Sequence, residues 1–400
     1  GNFNEPSLDA VDHYNRYEED IKMVAEAGLN AYRFSIEWAR IEPKQGVYDE
    51  NEIEHYRKVL TCCRENGVEP IVTMMHFTSP KWLIENGGWE NEATVEAFKN
   101  YCQYVTEQLG DLMHYVCTIN EANMGIQVAA ISARYRAQMM AKMQRMQQGG
   151  AEEKKDLEGT AQVGMNFNDM MANMQKQKEE NVEIFGTDTL QTFVSARTPE
   201  GDMLVIRAHQ AARAAMKAVK PELQIGLTLS LHDIQAQEGG EETAAKEWVD
   251  EFTHYVPYIK EDDFFGLQNY SRSLIGPNGI LPVPEGAEIT QMDYEYYPEG
   301  LEHVIRRVYE EMPMPIMVTE NGIATADDTR RVAYIQTAMK GVENCIQDGI
   351  PVKGYMYWSM MDNFEWQKGF GMTFGLISVD RTTQTRTAKP SLTVLGNYTK

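Results

Sequence analysis

The chain has 400 residues, which is long for an ordinary domain but within the size that a single α/β barrel commonly reaches. Its hydrophobic content of 42 % is sufficient for one large core. The formal net charge of −23 argues against nucleic acid or an anionic membrane as a partner, because phosphate groups are bound by clustered Lys and Arg. No segment reaches the roughly eighteen consecutive apolar residues that a membrane span needs.

The cysteines give no sign of a disulfide framework or a zinc site. They are five in number, an odd count, and they show neither Cys-x-x-Cys nor Cys/His ligand spacing. His232 and Asp233 could form a metal pair, but no third ligand is evident in the sequence. We therefore expect no metal. Because the cysteines show no disulfide pattern and the sequence does not open on a signal peptide pattern, we expect a reducing compartment, the cytoplasm.

Apolar, β-branched runs alternate with helical patterns along most of the chain. The runs predict seven strands: Asn30–Ile36, Pro70–His76, His114–Asn120, Gln224–Ser230, Phe264–Tyr270, Pro315–Thr319 and Val352–Ser359. The helical patterns between them are Tyr14–Ala27, Glu50–Asn66, Glu92–Leu109, Gly201–Val219, Pro298–Glu311 and Asp328–Asp348. Strands that alternate with crossover helices form a parallel sheet buried on both faces.

The predicted fold is therefore an α/β protein, a (β/α)₈ TIM barrel, with residues 1–400 forming one catalytic domain. Seven strands are one fewer than a closed barrel contains. We expect the first strand to precede residue 1, because an open barrel would leave unpaired edges on its first and last strands.

Residues 124–200 interrupt this rhythm with a Met-rich helical excursion. Met139, Met140, Met143 and Met146 have helical spacing, and similar composition continues to about residue 174. The simplest interpretation is an amphipathic excursion whose Met stripe packs on the barrel. A partner interface and a substrate lid are the alternatives, since Met side chains adapt to varied shapes.

Polar and aromatic residues stand at the C-terminal ends of the predicted strands, where a parallel barrel has its active site. They are Arg33 with Glu37 and Trp38, His76, Asn120-Glu121, Asn269-Tyr270, Glu320-Asn321, Trp358 and Glu365-Trp366. Hydrolysis of a glycosidic bond needs one carboxyl group to protonate the leaving oxygen and a second to meet the positive charge that develops at carbon. Glu121 and Glu320, each beside an Asn, therefore indicate a glycosidase. Trp38 and Trp89 are interpreted as packing residues.

Several stretches match a known family in order along nearly the whole chain. They are His13–Tyr17, Glu19–Ile21, Tyr32–Trp38, Gly87–Trp89, Thr118–Glu121, Val318–Gly322, Tyr357–Ser359, Asp362–Trp366, Phe374–Leu376 and Val379-Asp380. Together they resemble glycoside hydrolase family 1, the β-glucosidase and β-galactosidase family.

The resemblance implies a role for each strand-end residue. Glu121 is similar to the acid/base and Glu320 to the nucleophile of a retaining mechanism. Arg33 and Tyr270 match residues that contact the nucleophile, and Asn120 matches the residue at the sugar 2-hydroxyl. The remaining matches concern substrate binding: His76, Phe77, Asn120, Trp358, Glu365, Trp366 and Phe374.

Four features depart from the family pattern. The family's opening strand carries a Gln that binds sugar hydroxyls, and that segment is absent from this sequence. Ala122 stands where Pro is usual, and Phe77–Pro80 replaces the commoner Trp-Asp-Leu-Pro. Gln268-Asn269-Tyr270 replaces Asn-Tyr-Tyr, and we align Tyr270 with the nucleophile's partner.

The stretch after Glu365 bears on phosphorylated substrates. Family members that cleave 6-phosphoglycosides resemble each other in a Ser–Lys–Tyr set in this region, which suits a phosphate dianion. Here Phe370–Phe374 contains no cation, and Glu365 would repel a phosphate. We expect an unphosphorylated sugar.

The sequence thus predicts a retaining, exo-acting β-glycosidase for terminal β-D-glucosides or galactosides, with fucosides also open. It needs no cofactor, because the two carboxyl groups supply acid, base and nucleophile, and its partner is a small-molecule glycoside. Two alternatives remain: a non-catalytic carbohydrate-binding or scaffold protein on a degenerate barrel, and an endo-acting barrel glycosidase with an open groove.

Overall fold

A computed structural model describes residues 4–148 and 167–400 of the chain. The helices in these ranges are α1 (His13–Glu26), α2 (Trp38–Ile41), α3 (Glu50–Glu65), α4 (Lys81–Glu85), α5 (Ala93–Leu109), α6 (Met124–Gln148), α7 (Phe167–Phe185), α8 (Pro199–Val219), α9 (Glu241–Glu251), α10 (Val256–Ile259), α11 (Gly300–Glu311), α12 (Asp328–Gln347) and α13 (Pro390–Gly396). Short 3₁₀ helices span Gly88–Glu90, Gly110–Leu112, Thr253–Tyr255, Trp366–Lys368 and Asn397–Thr399. The strands are β1 (Ala31–Ser35), β2 (Glu69–Met75), β3 (Tyr115–Ile119), β4 (Gln224–Gly226), β5 (Thr228–Ser230), β6 (Asp233–Ala236), β7 (Phe265–Gln268), β8 (Arg272–Gly276), β9 (Gly279–Ile280), β10 (Ile316–Asn321), β11 (Val352–Tyr357), β12 (Ile377–Asp380) and β13 (Thr385–Ala388).

The central sheet is parallel and follows the chain order. Its two halves have the orders β1-β2-β3-β4 and β11-β10-β7-β5. β4 pairs with β3 and β5 pairs with β7, so the stretch from Gln224 to Ser230 joins both halves as one barrel strand. With helices between successive strands, this is the predicted (β/α)₈ TIM-barrel fold, and each of the seven predicted strands is present.

The sheet is open between β1 and β11. Within the described ranges, β1 pairs only with β2 and β11 pairs only with β10. A cavity of about 440 Å³ lies in this gap, lined at one end by Arg33, His76 and Trp358 and at the other by Val24 and Leu392. The gap therefore adjoins the strand ends where the sequence places the active site.

Local sequence explains where several helices begin and end. The Asp49 carboxylate accepts hydrogen bonds from the backbone N–H groups of Asn51 and Glu52 at the start of α3, which satisfies donors that lack intrahelical partners. Gly28 and Gly67, just beyond α1 and α3, have φ of +95° and +69°, a conformation that favours Gly at helix ends. No helix in the described ranges is both long enough and apolar enough to cross a bilayer.

The core lies inside the barrel and between the barrel and its helices. Every residue of β10 is buried, as expected for a parallel strand covered on both faces. Trp38 and Trp89 are 1 % and 0 % exposed, which confirms them as packing residues. Their indole N–H groups donate to Glu42 and Ser79, so neither buried donor is left without an acceptor.

The Met-rich excursion is helical, as predicted, but its Met stripe is not uniformly packed. In α6 only Gly125 is fully buried. Met140 and Met143 are 62 % and 50 % exposed, so the prediction that they pack on the barrel is wrong. The reason is that, among the described residues, most of α6 beyond about residue 130 has no facing surface and is exposed. Residues 149–166, which belong to the predicted segment, lie outside the described residues.

Candidate active site

Four predicted site residues meet at the C-terminal edge of the barrel. Arg33 lies in β1 and Glu320 in β10, while Glu121 and Tyr270 follow β3 and β7 by two residues each. Because parallel strands end at the same edge of the sheet, residues far apart in the chain become neighbours here.

Glu320 is held by two donors from two other strands. The Tyr270 hydroxyl donates to Glu320 Oε1 at 2.7 Å, and Arg33 Nη1 donates to Glu320 Oε2 at 3.2 Å. The Arg33 and Glu320 side chains are only 6 % and 7 % exposed. Each carboxylate oxygen therefore has a fixed partner, and the two bonds together set the direction of the carboxylate.

Glu121 is oriented through its backbone. Its φ is +48°, an unfavourable value for a residue with a side chain. Its N–H donates to the Thr228 hydroxyl at 2.8 Å, and the N–H of Ala122 donates to the Thr228 carbonyl at 3.0 Å. The neighbouring strand β5 thus fixes the direction in which this buried carboxyl points.

The surroundings of the two carboxyl groups separate their acidities. Burial, with the Glu320 anion adding to it, raises the pKa of Glu121 to about 8. Burial also raises the pKa of Glu320, but Arg33 and the Tyr270 hydroxyl oppose that rise. Glu320 is therefore the group that ionises first, and Glu121 is the group that keeps a proton to donate.

Buried donors without a protein acceptor converge on the same place. Arg33 Nη2 donates to Asn120 Oδ1 at 2.6 Å, which leaves the Asn120 Nδ2 with no acceptor among the described residues. Thr319 donates to Gln268 Oε1 at 2.9 Å, and the Gln268 Nε2 is likewise without an acceptor among the described residues. Such donors are costly unless a ligand oxygen meets them, and sugar hydroxyls are suitable acceptors.

Aromatic side chains form the adjoining wall. The rings of His76 and Trp358 stack at 5.8 Å with 25° between their planes, and Phe77 lies 5.6 Å from Trp366. Burial lowers the pKa of His76 to about 3, so its imidazole is neutral at physiological pH. This wall offers flat apolar faces with one neutral hydrogen-bonding ring.

Glu365 is half-buried, whereas Phe374 is fully buried. Burial, with the Glu320 charge adding to it, raises the pKa of Glu365 to about 7. Phe374 is 3 % exposed and packs edge-to-face on Tyr270, with 6.1 Å between ring centroids. Phe374 is thus packed against Tyr270, and substrate binding by Glu365 and by Phe374 stays a prediction.

Two residues near the carboxyl groups were not predicted as site residues. Tyr294 lies in the loop before α11 and is 42 % exposed, and the charges of Glu121 and Glu365 contribute to raising its pKa. His232 pairs with Glu251 at 2.5 Å, whereas the adjacent Asp233 pairs with His303 at 2.7 Å. Tyr294 lies in a loop with no strand-end pattern that sequence reasoning could use. His232 does follow β5 by two residues, but the sequence indicated only a metal pair there.

Comparison with known proteins gives a consistent result. The model of the family described as Glycosyl hydrolase family 1 matches residues 4–398. The chain is 29 % identical over 417 residues to Beta-glucosidase A of Acetivibrio thermocellus, covering 96 % of this chain and 85 % of that protein. It is 26 % identical to the 6-phospho-beta-galactosidase of Lacticaseibacillus casei, covering 96 % and 87 %.

Solved structures are similar over the same extent. A β-glycosidase crystal structure has 44 % identity and a TM-score of 0.85, covering 100 % of this chain and 88 % of that one. The family 1 β-glucosidase from Thermotoga maritima has 26 % identity and a TM-score of 0.75, covering 97 % and 86 %.

Proposed function

Because the chain belongs to glycosyl hydrolase family 1, we propose that it removes terminal, unphosphorylated β-D-glucosyl or β-D-galactosyl groups by an exo-acting, retaining double displacement. Membership makes the chain an O-glycosyl hydrolase and decides against a non-catalytic scaffold. The observation that carries the finer proposal is the buried glutamate Glu320, held by Arg33 and Tyr270 beside a second, more basic glutamate, Glu121.

In the first step, Glu320 attacks the anomeric carbon while Glu121 gives its proton to the leaving oxygen. The glycosidic C–O bond breaks and an ester forms between Glu320 and the sugar. In the second step, Glu121 takes a proton from water as that water attacks the same carbon and releases Glu320. Each step inverts the carbon once, so the product retains the configuration.

The charge of Glu320 couples the two steps. While Glu320 is an anion, it helps to raise the pKa of Glu121 and keeps that group protonated. Once Glu320 becomes a neutral ester, this contribution disappears and the pKa of Glu121 falls. The same residue can therefore act first as an acid and then as a base.

A neutral sugar fits the binding end of the site. Glu365, whose pKa is raised to about 7, carries negative charge above that pH and would repel a phosphate dianion. The relatives include both a β-glucosidase and a 6-phospho-β-galactosidase, so this choice belongs to the proposal. A cytoplasmic location is also part of it, supported by five cysteines that are all buried free thiols.

The proposal is tested with an aryl β-glucoside. We expect Glu320→Ala to abolish turnover and added azide to restore it, with α-glycosyl azide as product. Glu311→Ala, which removes a surface carboxylate bonded to Trp248 and Thr253, is the matched control and should keep turnover without forming the azide. Undiminished activity of Glu320→Ala would contradict the assignment.

Two substrate comparisons test the finer parts of the proposal. Exo action requires faster cleavage of a disaccharide than of a long polymer, and release of single sugars from the polymer. Preference for a neutral sugar requires a higher kcat/KM for an aryl β-glucoside than for its 6-phosphate. The reverse order in either comparison would overturn that part.

A further inference from the structure

A histidine and a glutamate that the mechanism above does not use form a rigid pair beside the acid/base segment. His232 follows β5 by two residues, and Glu251 ends α9. His232 Nδ1 lies 2.5 Å from Glu251 Oε1, and the backbone N–H of His232 donates to Glu251 Oε2 at 3.0 Å. Glu251 is 8 % exposed, whereas the His232 side chain is 42 % exposed, so a buried carboxylate holds an imidazole that is partly open to solvent.

The pair is joined by direct hydrogen bonds to the segment that carries Glu121. Asn123 Nδ2 donates to the carbonyls of Ser230 and Glu251 at 2.8 Å and 3.0 Å. Gln127 Nε2 donates to the Ser230 carbonyl at 2.8 Å and to Glu251 Oε1 at 3.2 Å. Asn123 is 0 % exposed, so these bonds hold Glu251, and through it the imidazole, in a fixed position relative to the segment that carries Glu121.

The charges around the imidazole favour its protonated form. Burial lowers the pKa of His232, but the carboxylates of Glu251, Glu121 and Glu247 outweigh burial and raise it above its usual value. Glu247 is itself paired with a cation, Arg134 on α6, at 3.9 Å. At Glu121, the facing charged groups are Glu320, Arg33 and His232 itself.

We propose that His232, clamped by Glu251, is a positioning residue whose imidazolium favours the ionised form of Glu121 and so sets the alkaline limit of turnover. This inference rests on the proposed function, because it assigns Glu121 as the acid/base. It adds to that function a residue that adjusts the balance between the protonated form of Glu121, which acts as the acid, and the ionised form, which acts as the base.

The direction of the effect follows from the sign of the charge. A cation near Glu121 lowers its pKa and opposes the rise caused by burial and Glu320. Removal of that cation leaves Glu121 protonated to a higher pH. Glycosylation should then persist further into the alkaline range, while deglycosylation, which needs the carboxylate, should become slower near neutral pH.

The experiment is a pH profile of kcat/KM for an aryl β-glucoside. For His232→Gln we expect the alkaline limb to move up by about one pH unit. An opposite charge at close range shifts a pKa by ~1–3 units, and we expect the lower end because the Glu251 carboxylate offsets part of the His232 charge. The matched control is His303→Gln. His303 Nδ1 pairs with Asp233 Oδ2 at 2.7 Å, so this variant removes a similar histidine–carboxylate pair and leaves the pair of His232 with Glu251 in place.

Glu251→Gln provides a second variant that leaves the imidazole in place. Without the carboxylate the imidazole loses its cationic character near neutral pH, so the alkaline limb should again move up. An alkaline limb that stays at the wild-type pH in both variants, moves down, or moves equally in His303→Gln would overturn the inference. Such a result, with wild-type turnover intact, would leave the proposed function standing, whereas a wild type without any turnover would overturn both.

Discussion

The hydroxyl of Tyr270 donates a 2.7 Å hydrogen bond to Oε1 of Glu320. Burial and the Glu320 charge raise the pKa of Tyr270 well above its ordinary range, so the phenol keeps its proton and remains a donor. Since Arg33 occupies the other oxygen, the carboxylate is held by two charge-assisted bonds in a fixed direction. Two groups from other strands therefore orient the Glu320 carboxylate and favour its ionised form.

Tyr270→Phe removes one of these bonds without changing the shape of the ring. A hydrogen bond to a charged group contributes about 1.5–3 kcal/mol, so we expect kcat/KM for an aryl β-glucoside to fall by about 10- to 100-fold. Tyr255→Phe is the matched control. The buried Tyr255 hydroxyl donates a 2.6 Å hydrogen bond to Asp202, which is not one of the two site glutamates. The control should lower thermal stability and keep kcat/KM, and equal losses in both variants would contradict the role of Tyr270.

Arg33→Met should move the acid limb of the kcat/KM profile to higher pH. The guanidinium favours ionised Glu320, so its removal raises the pKa of Glu320 further and delays formation of the nucleophile. Arg33→Lys keeps a charge but not the two-armed contact with Glu320 and Asn120, and should shift the limb less. The prediction is checked by pH profiles of all three proteins, and an unshifted limb in Arg33→Met speaks against it.

Glu121→Ala should affect substrates according to their leaving groups. A general acid contributes about 10²–10⁴-fold when the leaving oxygen needs a proton, and little when it does not. We expect a large loss of kcat/KM for an alkyl β-glucoside and a small one for a 2,4-dinitrophenyl β-glucoside. Azide should accelerate the variant and give the β-glycosyl azide, the product of retention, because the Glu320 ester still forms. Equal losses for both substrates would remove Glu121 from this role.

Sequence could predict the barrel strands and the strand-end residues for one physical reason. Runs such as Ile316–Val318 are buried on both faces of the sheet, so their hydrophobicity is continuous and visible without a structure. The parallel order then places Arg33, Glu121 and Glu320 at one edge whatever the loops do. The hydrogen bonds that Arg33 and Tyr270 donate to Glu320 follow from that placement.

What sequence could not predict depends on contacts between loops and on the surroundings of individual helices. The extra strands Asp233–Ala236 and Arg272–Gly276 pair with each other outside the barrel and are too short to carry a clear period. The exposure of Met140 has the same origin, since helical spacing does not say whether a facing surface exists. Glu251 meets His232 because α9 packs against β6, the strand that begins directly after His232.

A stability prediction follows from the buried ion pair that joins the two ends of the chain. Arg386 Nε donates to Asp20 Oδ1 at 2.8 Å, and both side chains are 0 % exposed. His13 Nδ1 lies 2.7 Å from the other oxygen of Asp20. Asp20→Asn leaves the Arg386 cation buried without its counter-ion, so we expect a loss of about 3–5 kcal/mol in the free energy of unfolding.

The pH dependence of that loss distinguishes a charge effect from a packing effect. Burial raises the pKa of Asp20, but His13 and Arg386 outweigh it and hold the pKa below its ordinary value. The pair therefore stabilises the fold above the unfolded-state pKa of about 3.9 and loses this contribution as pH falls through the lower folded-state pKa. In denaturant titrations, the difference in the free energy of unfolding between wild type and Asp20→Asn should be constant near neutral pH and shrink below about pH 4.

Asp348→Asn is the control. It breaks an Arg306–Asp348 pair of 2.7 Å whose side chains are 37 % and 59 % exposed, and it should lower the free energy of unfolding by less than about 1 kcal/mol. A difference for Asp20→Asn that matches this control, or that does not change with pH, would show that the buried charge is not what stabilises the junction.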